Sequence, residues 1–395
     1  MELHCKIQNY EWGKKGLVSK VAQLRKSADP SFEVDDHLPY AEFWMGTHVN
    51  APSIIKATKE NLSDLLYKHP EYLGSEVLAQ FNQLPFLFKV LSVSKALSIQ
   101  AHPSKKHAEQ LHAQFPEIYK DPNHKPEMAI ALTEFEALCG FRPWSEIKVF
   151  ISNISELQDI FKNIQYTDDG QLIQQAFWEV LICPKAKILD VINSLLTRFK
   201  ESSKSERDFL CADLVEKLHS QYPFDNGILM VYFLNYIKLK PSEAIFLGAN
   251  EPHAYLFGDC IECMACSDNV VRAGLTPKFI DVDTLCSMLI YDGAPPQQKL
   301  HLPLKEDNFS VIYKPPVPDF SIVQIQVPAL EESFTTRERC SASILLVISG
   351  KSLIKTVYGE QTVSPGTVLF LPAQQTITFN NFKDALLIYQ ALANV

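Results

Sequence analysis

The chain lacks a hydrophobic segment long enough to cross a bilayer. Its longest apolar run extends only from Ile228 to Leu234, whereas a spanning helix needs about 20 residues. The segment from Met1 to Lys6 also lacks the apolar core of a secretion signal. Positive charge is not in excess, since 37 lysines and arginines are set against 46 acidic residues, for a net charge of -9. We therefore expect a cytoplasmic protein without a membrane or nucleic-acid partner, because nucleic acid requires a basic face.

The sequence also lacks the even set of cysteines typical of a disulfide framework, since it contains nine. The two-residue spacing of Cys260, Cys263 and Cys266 resembles part of an iron–sulfur or zinc-thiolate motif. In an extended segment, however, Cys260 and Cys266 would lie on one face and Cys263 on the other. No fourth cysteine lies nearby, so we interpret all three as reduced thiols that pack in the interior.

Three short segments each combine a metal-ligand type with a neighbouring proline: Gln100 to Pro103, His124 to Glu127 and Pro252 to Tyr255. Together they offer two imidazoles, a carboxylate and an amide oxygen. Apolar and polar residues alternate from Leu97 to His102, which predicts a strand that directs Ser98, Gln100 and His102 to one face. The chain has eleven histidines, and a lone histidine is more often a surface or core residue. The combination of three segments nevertheless predicts a site for a borderline cation such as zinc.

The hydrophobic spacing divides the chain into a helical part and a strand-rich remainder. Residues 144 to 222 show the apolar period of helices, as in the series from Ile188 to Phe199. On either side, short apolar runs are separated by Gly, Pro and Asn, which is typical of strands. The predicted strands include Met230–Leu239, Ala244–Gly248, Ser343–Ile348 and Val368–Leu371. We therefore expect a mainly β protein with an α-helical insert domain.

One short pattern occurs twice without gaps, at Pro241–Ala249 and at Pro365–Ala373. A proline turn, an apolar strand and then a ligand several residues later is how a cupin jelly roll presents a metal histidine. In the first copy that ligand is His253, but the matching position of the second copy is Ile377. We therefore predict a second, metal-free barrel and a structural or dimerising role for residues beyond about Pro316.

Seven longer strings of the sequence are Gln8–Gly13, Ala41–His48, Phe86–Leu91, Leu97–Pro103, Asn123–Glu127, Pro252–Leu256 and Asp268–Lys278. They resemble those of type I mannose-6-phosphate isomerases of the cupin superfamily. The likeness extends from the N-terminus to about Lys278, and beyond that point it rests on length and pattern. The resemblance implies an enzyme that interconverts mannose 6-phosphate and fructose 6-phosphate through an enediol.

The resemblance also implies a fold of cupin-type jelly-roll barrels with the helical insert. We expect residues 1–143 to form the N-terminal part of a catalytic β domain and residues 144–222 the helical insert. Residues 223–315 would complete the catalytic barrel, and residues 316–395 would form the metal-free C-terminal domain.

One zinc ion (Zn2+) per chain, held by Gln100, His102, Glu127 and His253, is the cofactor that the resemblance implies. Glutamine is an unusual zinc ligand, so its assignment depends on the resemblance more than on general chemistry.

Proton transfer between adjacent carbons needs a base and an electrophile. Glu262 is a conspicuous carboxylate in an otherwise apolar segment, and the resemblance favours a catalytic role for it. His124 and Asp268 are rivals for ring opening or proton transfer, and the sequence does not rank the three. Arg272 lies among apolar and small residues, and its guanidinium suits a phosphate or an enediolate. Lys125 completes the set of catalytic candidates.

Four further residues are candidates for binding the sugar phosphate: the hydroxyl of Ser98, the ammonium groups of Lys89 and Lys278, and the ring of Tyr255. Each lysine on its own would be read as surface charge, and a core tyrosine is an equally good reading of Tyr255. The expected partner is a small-molecule sugar phosphate, bound by a monomer or a homodimer.

Two other functions remain open from the sequence. His102, Glu127 and His253 form the two-histidine, one-carboxylate set of non-haem iron oxygenases, although a fourth ligand at Gln100 would leave fewer open positions for dioxygen. A non-catalytic, sugar-phosphate-binding cupin is the other alternative, because the fold also serves binding roles.

Overall fold

The structure is a computed structural model that describes residues 1–162, 164, 168–356 and 359–395. The described residues form 22 strands and 11 α-helices. The strands are β1 (Glu2–His4), β2 (Lys6–Gln8), β3 (Glu42–Met45), β4 (Ile54–Ile55), β5 (Phe86–Val93), β6 (Ile99–Ala101), β7 (Glu127–Ala131), β8 (Phe135–Phe141), β9 (Leu234–Leu239), β10 (Ala244–Leu247), β11 (His253–Ala265), β12 (Val271–Gly274), β13 (Leu304–Lys305), β14 (Ser310–Tyr313), β15 (Ser321–Val327), β16 (Ser333–Thr335), β17 (Ser343–Ser349), β18 (Ser352–Thr356), β19 (Gly359–Val363), β20 (Val368–Leu371), β21 (Thr378–Asn380) and β22 (Leu386–Leu392).

The helices are α1 (Lys20–Ala28), α2 (Leu62–Lys68), α3 (Ser75–Phe81), α4 (Lys105–Gln114), α5 (Trp144–Asn153), α6 (Ser155–Phe161), α7 (Asp169–Ile182), α8 (Lys185–Glu201), α9 (Lys204–Phe209), α10 (Ala212–Gln221) and α11 (Val282–Met288). Short 3-10 helices span Gly16–Val18, Pro70–Leu73, Asn226–Tyr232 and Pro296–Lys299. Among these described helices, none combines the length and the apolarity that crossing a bilayer requires.

Strand β11 organises the first sheet, a ten-stranded array. It pairs antiparallel with β5 and β7 over its second half and with β6 and β8 over its first half. The order β10-β7-β11-β5-β3-β2 forms the continuous path, and β6, β8, β9 and β12 attach beside it. One strand therefore holds both groups of strands together.

A β-bulge in β11 changes which side chains face the sheet interior. The register against β8 shifts between Tyr255 and Phe257, and a bulge of this kind inserts one extra residue into the alternation. Tyr255 and Cys260 consequently lie in the same hydrophobic cluster although their numbers differ in parity. Gly258, just past the bulge, has φ of +111°, and a Cβ there would meet the Glu134 carbonyl oxygen at 2.3 Å. Only glycine fits that close approach.

The remaining strands form an eight-stranded and a four-stranded sheet. The order in the larger sheet is β13-β14-β15-β22-β17-β20-β1-β4, and in the smaller one β16-β21-β18-β19. The larger sheet crosses the predicted boundary at residue 316, because β13 and β14 precede it and β1 and β4 come from the start of the chain. The division into domains at 143, 222 and 315 remains a prediction.

The predicted helical insert is confirmed as a run of six helices, α5 to α10, although residues 163 and 165–167 of the predicted span lie outside the described part of the chain. Its apolar faces share one hydrophobic core with the strand Ile99–Ala101 and with Val271. One expectation is wrong: Met230–Tyr232 belongs to the 3-10 helix Asn226–Tyr232, and the strand begins at Leu234. An apolar run that is buried on every side has no period that separates helix from strand.

The cysteines are free thiols in the structure, as the sequence predicts. Cys260 packs in one hydrophobic cluster of β11 and Cys263 in the cluster on the opposite face. Cys266 lies just past the end of β11, beside a third cluster. The packing interpretation therefore describes all three.

A buried ion pair ties the N-terminal segment to β11. The ammonium of Lys14 lies 2.6 Å from one carboxylate oxygen of Asp259, and the Ser92 hydroxyl donates to the other oxygen at 2.6 Å. The same hydroxyl accepts from the backbone N–H of Lys20, where α1 begins. Thr133 donates to the carboxylate as well. The Asp259 carboxylate thus joins four parts of the first sheet and its flanking helix.

We expect Asp259→Asn to lower the free energy of unfolding by about 3 to 5 kcal/mol, because the substitution leaves the buried Lys14 ammonium unpaired. The measurement is the shift of the urea unfolding transition. Glu109→Gln is the matched control, since its ion pair with Lys105 is exposed and 3.8 Å long and should be worth less than about 1 kcal/mol. Equal shifts in the two variants would contradict this account of the Asp259 network.

Candidate metal centre

Two imidazoles and one carboxylate converge in the interior of the first sheet. Nε2 of His102 lies 3.4 Å from Oε1 of Glu127, and Nε2 of His253 lies 3.3 Å from Oε2 of the same carboxylate. The three ligand atoms lie within 4.8 Å of one another, and all three side chains are buried. His102 follows β6, Glu127 begins β7 and His253 begins β11, so three different strands bring them together.

The backbone fixes the orientation of both imidazole rings. Nδ1 of His102 lies 2.6 Å from the carbonyl oxygen of Asn269, and Nδ1 of His253 lies 3.0 Å from that of Glu251. Because a carbonyl only accepts, each Nδ1 carries the proton and each Nε2 presents a lone pair. Both Nε2 atoms and one oxygen of Glu127 have no hydrogen-bond partner among the described residues. Buried polar atoms of this kind normally have one, and a metal ion fits the arrangement.

The electrostatics favour the protonation states that bind a metal. Burial lowers the pKa of His102 to about 4, against the opposing effect of the Glu127 carboxylate. Burial by itself would raise the pKa of Glu127, but the Lys125 ammonium, 3.0 Å from Oε1, holds that pKa well below its usual range. A neutral imidazole and an ionised carboxylate are the forms that ligate metals.

The fourth proposed ligand, Gln100, lies beside this cluster. In β6 it pairs with His253 of β11 on one side and with Arg272 of β12 on the other. The Ser98 hydroxyl donates to its side-chain oxygen at 3.4 Å, so the two residues share a face as the alternation predicts. Ile99, between them, packs in the core with the helical insert.

A second buried charge cluster borders the metal ligands. The Lys89 ammonium donates to Oε2 of Glu262 at 3.0 Å and lies 3.5 Å from Oε2 of Glu42. Burial would lower the pKa of Lys89, but the carboxylates of Glu262, Glu42 and Glu127 raise it above its usual value. Burial raises the pKa of Glu262 despite the opposing effect of Lys89, and the charges of Glu127 and Glu42 add to the rise. The structure therefore places Lys89 and Glu262 in direct contact.

The sequence analysis missed Glu42 and Trp44 as members of this cluster. The Trp44 indole N–H donates to the Glu42 carboxylate, and the Lys89 ammonium lies 5.0 Å from the Trp44 ring centroid. Both residues stand on β3, which pairs with β5 so that Trp44 is opposite Lys89. The available signal for these two residues is their position in Ala41–His48, one of the strings that carry the family resemblance.

Arg272 is half-buried, and burial lowers the pKa of its guanidinium. In the described part of the chain no carboxylate forms an ion pair with it. Tyr255 is buried among the strands near His253, with ring centroids 6.3 Å apart, and its hydroxyl has no hydrogen-bond partner among the described residues. Burial, followed by the charges of Glu262 and Glu127, raises the pKa of Tyr255 well above its usual value.

Three predicted residues make their contacts with groups other than the metal-ligand candidates or are exposed. Oδ1 of Asp268, a largely exposed carboxylate, is 3.3 Å from Nε2 of His48, and that hydrogen bond lowers the pKa of Asp268. The His124 ring contacts the buried carboxylate of Asp319 at 3.0 Å. Lys278 is exposed and lines a groove beside the helical insert. The structure does not bring Lys278 into the buried cluster.

A sheet-rich fold with a helical insert and a buried His–Glu–His cluster defines a metal-binding protein that contains both helices and sheets. Family models of type I phosphomannose isomerase match two parts of the chain: the catalytic domain matches residues 1–144 and the helical insertion domain residues 148–234. The mannose-6-phosphate isomerase of Homo sapiens is 45% identical over 413 residues, which cover 98% of this chain and 97% of the relative. That of Schizosaccharomyces pombe is 40% identical over 415 residues, with 100% and 99% covered.

Solved structures agree with these relatives. A crystal structure of zinc-bound mannose 6-phosphate isomerase has a TM-score of 0.84 and 30% identity, and a mutant phosphomannose isomerase from Salmonella typhimurium has a TM-score of 0.85 and 29% identity. Each comparison covers 100% of this chain and 99% of the other. The chain belongs to the type I phosphomannose isomerase family, and the resemblance noted in the sequence is confirmed.

We expect Glu127→Gln to weaken the binding of a divalent metal by more than about 100-fold, because substitutions that act on ligands only indirectly already cost about 10- to 100-fold. Metal content after dialysis against a weak chelator is the measurement. Glu117→Gln is the matched control, since Glu117 is exposed. Retention of one metal per chain by the Glu127 variant would show that the cluster is not the binding site.

Proposed function

We propose that the protein is a zinc-dependent mannose-6-phosphate isomerase that converts mannose 6-phosphate to fructose 6-phosphate through an enediol. The observation that carries the proposal is the pair of oriented Nε2 atoms, which have no hydrogen-bond partner among the described residues, beside an ionised, buried Glu127. The relatives at 40–45% identity are named for this reaction, and one solved relative is described as zinc-bound. In our assignment Gln100, His102, Glu127 and His253 hold the ion.

The reaction moves one proton from C2 of the aldose to C1 of the ketose. Zinc supplies a Lewis acid that polarises the carbonyl and hydroxyl oxygens of the sugar when it is bound. We assign Glu262 as the proton carrier, because its carboxylate is buried beside the ligands and its pKa is raised towards the range in which a general base works. Lys89 holds that carboxylate in place. Asp268 is too exposed for this role, and the His124 ring is already held by another carboxylate.

In this proposal two cationic side chains, Arg272 and Lys125, contact the substrate. Arg272 has a half-buried guanidinium without a carboxylate partner among the described residues, so its donors are available for phosphate or for enediolate oxygens. The Lys125 ammonium reaches Glu127 and stands at the edge of the ligand cluster. Ser98, Tyr255 and Lys278 are proposed to orient the rest of the sugar phosphate.

The same proposal covers the finer fold, the domains and the location. We infer that the ten-stranded sheet forms a cupin-type jelly roll around the ligands and that the C-terminal sheets form a second, metal-free one. We also propose domain limits at 143, 222 and 315. The protein would be cytoplasmic and would act as a monomer or a homodimer.

Removal of zinc with a chelator is expected to abolish the formation of fructose 6-phosphate from mannose 6-phosphate, and added zinc is expected to restore it. A coupled assay of fructose 6-phosphate measures the effect, and circular dichroism verifies that the stripped protein stays folded. A folded, zinc-loaded protein that forms no product would defeat the proposal. Oxygen consumption with added iron would then indicate an oxygenase, and a bound but unconverted sugar phosphate a binding protein.

The proposed enediol intermediate leads to a second prediction. Because the proton of C2 resides on Glu262 before it returns to C1, it can exchange with water, so conversion in D2O is expected to place deuterium at C1 of fructose 6-phosphate. Nuclear magnetic resonance of the product measures this. A product that contains no solvent deuterium even after many turnovers of the reversible reaction would indicate a direct hydride shift from C2 to C1 and would contradict the enediol.

A further inference from the structure

The part of the chain beyond residue 316 contacts the loop that precedes Glu127. Nε2 of His124 lies 3.0 Å from Oδ1 and 3.1 Å from Oδ2 of Asp319. Asp319 stands between β14 and β15 and is only 2% exposed. The contact joins residues 195 positions apart in the chain, and it is made by the part of the sequence for which we predicted only a structural or dimerising role.

The rest of this loop is anchored by residues at the end of β11 and just after it. The Ser267 hydroxyl and the Asn269 side-chain amide both donate to the carbonyl oxygen of Asn123, at 3.0 and 2.8 Å. The backbone N–H of Ala265 donates to the carbonyl oxygen of Pro126. Asn269 in turn accepts, through its own carbonyl, the hydrogen bond from His102. The residues on both sides of Lys125 are therefore fixed, and His124 is the loop residue that Asp319, from beyond position 316, contacts.

We propose that Asp319 is a positioning residue for catalysis, which acts through His124 to hold Lys125 at the metal centre. Lys125 follows His124 directly, and its ammonium lies 3.0 Å from Oε1 of Glu127. Fixing the His124 ring limits the backbone freedom of its neighbour. This inference rests on the proposed function, in which Lys125 is part of the active site.

The burial of Asp319 argues for a role beyond simple packing. A carboxylate at this depth loses its hydration and is tolerated when it is paired and hydrogen-bonded. Such pairs often add little stability over an apolar contact of equal size, whereas a carboxylate that grips one side of an imidazole fixes the orientation of that ring. The two oxygens of Asp319, both near Nε2 of His124, provide that grip.

A double-mutant cycle tests the proposal. We expect Asp319→Ala and His124→Ala each to lower kcat by about 10- to 100-fold, the range for a displaced active-site group, with KM and zinc content nearly unchanged. Because Asp319 acts through His124, the double variant should lose no more than either single variant. Asp319→Asn is expected to keep more activity than Asp319→Ala, because its amide oxygen still accepts from the ring, and it replaces Asp319→Ala in the cycle if the latter does not fold.

Tyr313→Phe is the matched control. The Tyr313 hydroxyl also links the eight-stranded sheet to the first sheet, by donating to the carbonyl oxygen of Ser242 at 2.7 Å. Both residues are remote in sequence from the Lys125 loop. This variant should keep wild-type kcat. Losses that multiply in the double variant, an Asp319→Ala protein with wild-type kcat, or an equal loss in Tyr313→Phe would overturn the proposal.

A second measurement does not depend on isomerase activity. The acylation rate of Lys125 by an amine reagent, followed by mass spectrometry, should rise in Asp319→Ala and stay unchanged in Tyr313→Phe, because the ammonium is paired and nearly buried in the wild-type protein. An unchanged rate in Asp319→Ala would overturn the positioning role. If the wild-type protein had no isomerase activity, the proposed function would fail, and this rate would still decide whether Asp319 holds Lys125.

Discussion

The negative charge of Glu127, held almost without exposure to water, is the interaction on which the rest of the site depends. An isolated carboxylate in such a place would take up a proton, since burial favours the neutral form. Here the Lys125 ammonium, 3.0 Å from Oε1, stabilises the ionised form. Removing water also strengthens this interaction. The position of the loop that carries Lys125 therefore contributes to the charge of the carboxylate.

Strand β11 contributes to three groups of buried polar residues. It begins with the metal-ligand candidate His253, carries Asp259 in the structural network and carries Glu262 beside Lys89. Strict alternation from His253 would direct Glu262 to the opposite face, because one position is odd and the other even. The bulge after Tyr255 restores a common face. A single inserted residue thus places the proposed base on the same side of the sheet as the metal ligands.

The sequence predicted the local features of the site and missed those that depend on distant pairing. The three ligand segments were recognisable because each holds its donors within a few residues, and the alternation around Gln100 was correct. Alternation along β11 could not predict that Glu262 lies on the same face of the sheet as His253, because the bulge shifts the alternation. In the sequence, only Gly258 marks the bulge. Glu42, Trp44 and Asp319 reach the site through pairing or loop contacts across tens to hundreds of residues, and no local pattern encodes such contacts.

The two sheet systems are not independent, and this explains how a residue from beyond position 316 can reach the loop of Lys125. Strand β1 pairs with β20 and with β4, so the first residues of the chain complete the C-terminal sheet. Between the two large sheets lies one hydrophobic cluster that contains Phe88 and Ile261 from the first sheet together with Ile344 and Phe370 from the second. Interiors packed in this way transmit displacements rather than absorb them. The eight-stranded sheet therefore packs against β5 and β11 through this shared cluster. Asp319 adds a contact between the part of the chain beyond residue 316 and the loop of Lys125.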